Sequence, residues 1–96
     1  MDSDPRLADE LAQCRRDLDE LDSELIRLVA RRLELGLRAA AIKAQANLPI
    51  LDPAREEKVI AQARNWARKA DLPEDEVAEI FRKLVSLSGN AQLKSF

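Results

Sequence analysis

A chain of 96 residues with 16 Lys and Arg against 18 Asp and Glu has the size of one small domain, and its net charge of -2 excludes any general attraction to nucleic acid or anionic membrane. Hydrophobic residues make up 46% and aromatic residues only 3%, which favours helices with aliphatic seams over a sheet built on aromatic and β-branched side chains. The single Cys14 excludes an internal disulfide, and the acidic opening MDSDPRLADELAQ lacks the apolar run of a signal peptide or membrane span; together they point to a soluble cytoplasmic protein.

From Asp4 to about Ala46 the only Pro is Pro5 and the only Gly is Gly36. Ser3 or Asp4 can cap a helix there, with Pro5 suited to its first turn. Leu11, Cys14, Leu18, Leu21, Leu25, Leu28, Arg32, Leu35, Ala39 and Ile42 step by alternating threes and fours, a heptad seam with one foreign residue, Arg32. A helix of roughly 40 residues is about 60 Å long, whereas a compact chain of this size has a radius of gyration of only about 12 Å. The remaining residues cannot cover such a rod, so a second copy with a matching seam is expected to pack against it.

Asn47 to Leu51 reads as a short connector, with Pro49 opposing continuation of the helix. Asp52-Pro53 then reads as an N-cap followed by Pro at the first helical position, opening a second helix to about Ala70 with Val59, Ile60, Ala63 and Trp66 at helical spacing. Leu72-Pro73-Glu74-Asp75 is another turn and helix start. The last helix is expected to turn Val77, Ile80, Phe81, Leu84, Val85 and Leu87 inward and to fray over residues 93–96. The fold expected is therefore all-α: three helices per chain, the first very long, in a single domain over residues 1–96 with residues 1–10 and 93–96 peripheral.

Several polar residues do not suit a core. Arg32 interrupts the seam, and Lys43, eleven residues on, lies within about 20° of the same helical face. Gly36 and Ala39 lie between them, so two cations with little bulk between describe a pocket floor. The competing reading is that both cations reach solvent or pair with carboxylates of the other helices. Ser88 and Gln92, four apart, continue the inward line of Phe81, Leu84 and Val85, although polar residues near a chain end are commonly just solvated. Asp52, Arg55 and Glu56 gather at the start of the second helix, where free backbone N–H groups favour anions; Arg55 there opposes the helix dipole unless an acid compensates it. Arg15 points about 100° away from Arg32 and so belongs to a different face of the same chain, but in an antiparallel dimer it can reach the partner's site. No carboxylate pair or His/Cys/Asp cluster has metal-ligand spacing, and no phosphate loop or dinucleotide fingerprint is present. An enzyme built this way works by holding and polarising its substrate, without a nucleophile, metal or cofactor.

These residues form a pattern. Over roughly residues 11 to 92 the chain resembles the all-helical (type II) chorismate mutases. The carriers are Arg15, Leu21-Asp22, Leu28-Val29-Ala30-Arg31-Arg32, Lys43, Pro49-Ile50-Leu51-Asp52-Pro53-Ala54-Arg55-Glu56, Ile80-Phe81, Ser88 and Gln92. The resemblance implies an intertwined homodimer of three-helix chains that rearranges chorismate to prephenate in one pericyclic step of the shikimate pathway, on the way to aromatic amino acids. It further implies that Arg32 of one chain and Arg15 of the other clamp the two carboxylates, and that Lys43 and Gln92 hydrogen-bond the ether oxygen of the breaking bond. Asp52 and Glu56 would face the ring hydroxyl, with Arg55 and Ser88 completing the polar shell. Similar short helical chains act as isochorismate-pyruvate lyases or as mutases of 4-amino-4-deoxychorismate, and Asp52 with Glu56 could equally accept from an amine. A non-catalytic helical dimerisation module, with Arg32 and Lys43 merely structural, is the reading from a different class.

Overall fold

The computed structural model describes residues 4–95, and those residues form three helices: α1 (Pro5–Gln45), α2 (Pro53–Lys69) and α3 (Glu74–Ser95). Local chemistry accounts for their ends. Asp4 Oδ1 accepts the Arg6 N–H at 2.9 Å, and the Asp4 carbonyl accepts from Leu7 at 3.1 Å and Ala8 at 3.2 Å, so Asp4 opens α1. The alternative cap, Ser3, lies outside the described residues.

Asn47 closes α1 in the left-handed region at φ 57, where Asn is tolerated better than most residues, and the Leu48 N–H returns to the Lys43 carbonyl at 2.8 Å. The end of α2 repeats this device: Asp71 has φ 56, and the Leu72 N–H reaches the Ala67 carbonyl at 2.8 Å. Three acids, Glu74, Asp75 and Glu76, fill the first turn of α3 and complement its dipole. Where fraying is expected from Leu93 onward, α3 is helical through Ser95, with no Gly or Pro after Gly89 to interrupt the ladder; Phe96 lies outside the described residues.

The chain divides into a unit ending at Arg31 and a unit beginning at Arg32. In the first, Leu7, Leu11, Leu18, Leu21, Leu25 and Leu28 are all exposed, Leu28 by 64%. The second holds the rest of α1 with α2 and α3. Its buried residues are small: Ala40, Ala63, Ala67, Ala78 and the polar Ser88. No large side chain there is fully enclosed; Leu33, Leu37, Val59, Ile60, Val77, Phe81, Leu84 and Val85 are half-buried around the alanines. Alanine at a helix contact lets backbones approach closely, so this packing is tight but thin.

Two inward assignments on α3 are corrected. Ile80 is 58% exposed and Leu87 46% exposed. At 3.6 residues per turn, Val77, Ala78, Leu84, Val85 and Ser88 all fall within about 60° of Phe81, whereas Ile80 and Leu87 lie about 100° and 120° round the helix. On α1 the stripe that turns inward carries Leu33, Gly36 and Ala40, while the seam residues Leu35 and Ile42 stand to one side and stay largely exposed.

Ion pairs tie α2 to the start of α3. Arg64 Nη1 meets Asp75 Oδ1 at 2.6 Å, and Arg68 forks onto Glu74 through Nε at 3.2 Å and Nη2 at 2.9 Å. The hydrogen bond from Arg68 holds the Glu74 carboxyl below its ordinary value, and that from Arg64 does the same to Asp75. A carboxylate whose folded pKa is depressed contributes stability above its unfolded value and loses it as the pH falls through the folded one. Melting temperature is therefore expected to drop on acidification below about pH 4, and the Glu74→Gln/Asp75→Asn double variant to flatten that decline. Circular-dichroism melts across a pH series check this; an unchanged acid slope in the variant would show that these pairs contribute nothing.

Candidate functional site

Within the unit that begins at Arg32, one cavity of about 310 Å³ is bounded by α1, the connector, α2 and α3. Its volume lies near the lower end of the range typical of small-molecule sites. Arg32, Lys43, Asp52, Arg55, Glu56, Ser88 and Gln92 all line it. Gly36 and Ala39 separate the two α1 cations along the wall, as their helical spacing requires.

Each wall has a local cause. Lys43 stands in the last turn of α1, and its half-buried side chain donates from Nζ to the Ile50 carbonyl of the connector at 2.9 Å. The connector thus positions the ammonium through a neutral acceptor. Asp52 caps α2, its Oδ1 accepting the Arg55 N–H at 3.1 Å and its carbonyl the Glu56 N–H at 3.0 Å. That cap sets Arg55 and Glu56 in the first turn, facing the cavity. On α3, Ser88 is 7% exposed, and Gln92 Nε2 donates to Ser88 Oγ at 3.1 Å. The α3 stripe that carries Phe81 and Val85 also carries these two residues, which leaves Ser88 buried and Gln92 half-buried.

Arg32 is half-buried, and its side chain forms no ion pair or hydrogen bond among the described residues. The same is true of the exposed Arg55 side chain. Three cations and two carboxylates line the cavity, a local excess of positive charge on a chain whose net charge is -2. A small organic anion with hydrogen-bonding groups matches that lining. No group of three or more His, Cys, Asp or Glu side chains is placed to hold a metal among the described residues.

Arg15 is not part of this wall; it sits on the exposed surface of α1 in the unit that ends at Arg31. Conversely, sequence reasoning gave no site role to Ile50, Leu51 and Gly89, which also line the cavity. Ile50 acts through its backbone carbonyl, which every residue has, so no side-chain signal could have disclosed it. Gly89 is one of only two glycines in the chain, a signal that could have been weighed.

Comparison with known proteins identifies the family. The chorismate mutase of Methanocaldococcus jannaschii is 32% identical over 79 residues, covering 82% of this chain and 80% of that protein. The 4-amino-4-deoxychorismate mutase of Streptomyces venezuelae is 31% identical over 77 residues, or 80% of this chain and 75% of that protein. A bifunctional chorismate mutase/prephenate dehydratase of Aquifex aeolicus is 31% identical over 81 residues, which cover 81% of this chain but only 22% of that protein. The family model for type II chorismate mutases matches residues 14–93, almost the whole length described, and the chain belongs to that family.

Proposed function

We propose that this protein is a chorismate mutase, an isomerase that rearranges chorismate to prephenate in aromatic amino acid biosynthesis. The observation that carries the reading is the convergence of Lys43 and Gln92, from opposite walls, on a cavity that also holds the unpaired Arg32. In this rearrangement the ether oxygen gains negative charge as its bond stretches. Fixed donors aimed at that atom bind the transition state better than the ground state, which is how a site without a nucleophile accelerates the step. Lys43 and Gln92 are those donors. Arg32 clamps one carboxylate, Arg55 and Ser88 complete the polar shell, and Asp52 and Glu56 accept from the ring hydroxyl. A flexible dianion must also be held folded, and guanidinium forks suit that work.

The reading includes a homodimer with two equivalent sites, in which Arg15 of each chain reaches the partner's cavity and clamps the second carboxylate. Its support is the exposed leucine seam of α1, apolar surface of a kind that marks an interface. The reading also places the protein in the cytoplasm; no helix among the described residues is long and apolar enough to cross a membrane.

One observation favours a second substrate, 4-amino-4-deoxychorismate: the Streptomyces venezuelae relative is named for it and matches over most of its length. Asp52 and Glu56 can accept from an amine as from a hydroxyl. A side-by-side assay with chorismate, isochorismate and the amino analogue, reading out products, decides among them. Prephenate formation is expected to dominate without added metal or cofactor; pyruvate release or faster turnover of the amine would displace the reading.

Two variants test the roles. Lys43→Ala is expected to lower turnover by roughly a hundred- to a thousandfold, the measured range for removing one donor to a developing oxyanion, with the circular-dichroism spectrum unchanged. Near-normal turnover would remove Lys43 from the mechanism. Mixing inactive Arg15→Ala and Lys43→Ala chains by unfolding and refolding is expected to restore about a quarter of wild-type activity, because half the dimers are mixed and each has one intact site. A mixture that stays inactive would refute the sharing of Arg15.

A further inference from the structure

Gly36 lies inside α1, where a glycine is less favourable than an alanine. Its backbone does not need glycine, since no glycine among the described residues has a positive φ. What the position needs is space. A Cβ built on Gly36 would run into Ser88 Oγ, and would stand 3.2 Å from Gln92 Nε2 and 3.7 Å from Ser88 Cβ. The other glycine differs: a Cβ on Gly89 would meet only Leu51 Cδ2, at an ordinary 3.8 Å.

The Ser88 hydroxyl seated on Gly36 is also the acceptor that holds the Gln92 carboxamide at 3.1 Å. One Nε2 hydrogen is used in that bond, which leaves the second free to donate into the cavity. We propose that Gly36 is a positioning residue: its missing side chain seats Ser88 against α1, and Ser88 in turn fixes the direction in which Gln92 donates. The proposal rests on the assignment of Gln92 as a donor to the reacting oxygen. Gly36 itself touches the substrate with no side chain and acts through two others.

The test is a double-mutant cycle of Gly36→Ala and Ser88→Ala, read by kinetics on the substrate turned over by the wild type and by the ¹⁵N resonance of the Gln92 side-chain amide. Gly36→Ala alone is expected to lower kcat by about tenfold or more while KM moves by less than about threefold, the pattern of a contact made mainly in the transition state. In the Ser88→Ala background, where the obstructing hydroxyl is gone, the same change is expected to cost less than about twofold. Wild-type kcat in Gly36→Ala, or an equal loss in both backgrounds, would overturn the proposal. If Gly36→Ala does not fold, the double variant is expected to fold, and its failure would overturn the proposal too. A wild type inactive on all three candidate substrates would sink the functional reading instead. The Gln92 amide is still expected to shift in Gly36→Ala and to shift little further when that change is added to Ser88→Ala; an unmoved signal would refute the positioning role independently.

Discussion

The seat of α3 against the Gly36 turn of α1 is the contact on which the cavity depends. A single added carbon at Gly36 would collide with Ser88 Oγ, so the Ser88 hydroxyl keeps its present seat only because that side chain is missing. Gln92, one turn beyond Ser88, and Lys43, about two turns beyond Gly36, then line the same cavity. The buried residues elsewhere in this unit follow the same pattern: Ala40, Ala63, Ala67 and Ala78 are enclosed, while larger side chains are only half covered. Close approach takes the place of bulk, and what large side chains would have filled remains open to a ligand.

Helix α1 takes part in both units. From Arg32 onward its inward stripe carries Leu33, Gly36 and Ala40 along with the cations of the cavity wall. In the unit ending at Arg31 the leucines of the heptad seam are exposed throughout. Six exposed leucines at heptad spacing are the apolar surface on which the proposed dimer rests.

The electrostatics of the cavity favour binding over internal pairing. Lys43 is oriented by a backbone carbonyl, which fixes its direction and leaves its charge uncompensated. Arg55 sits in the first turn of α2, where the helix dipole adds to its positive field. Among the described residues Arg64 and Arg68 meet their carboxylates, Asp75 and Glu74, at the α2–α3 turn and leave the cavity cations alone. Charge used to hold the fold and charge presented to a ligand are thus kept on separate parts of the unit.

The helix boundaries were legible because their causes are local. Asp52-Pro53 and the acid-rich Glu74-Asp75-Glu76 act within one turn of their own positions, and helical spacing placed Arg32 and Lys43 on one face without knowledge of any other element. The inward side of α3 was only partly legible: hydrophobicity put Ile80 and Leu87 with Phe81, but which stripe a helix buries depends on the helix it meets. The sequence by itself therefore determined three helices, their ends and the residue types that line the candidate site. Tertiary structure alone decided that Ser88 seats on Gly36, that Ile50 offers its carbonyl to Lys43, and that residues from three helices enclose one cavity. Those contacts join positions distant along the chain, and some use atoms that every residue shares, so neither periodicity nor composition encodes them.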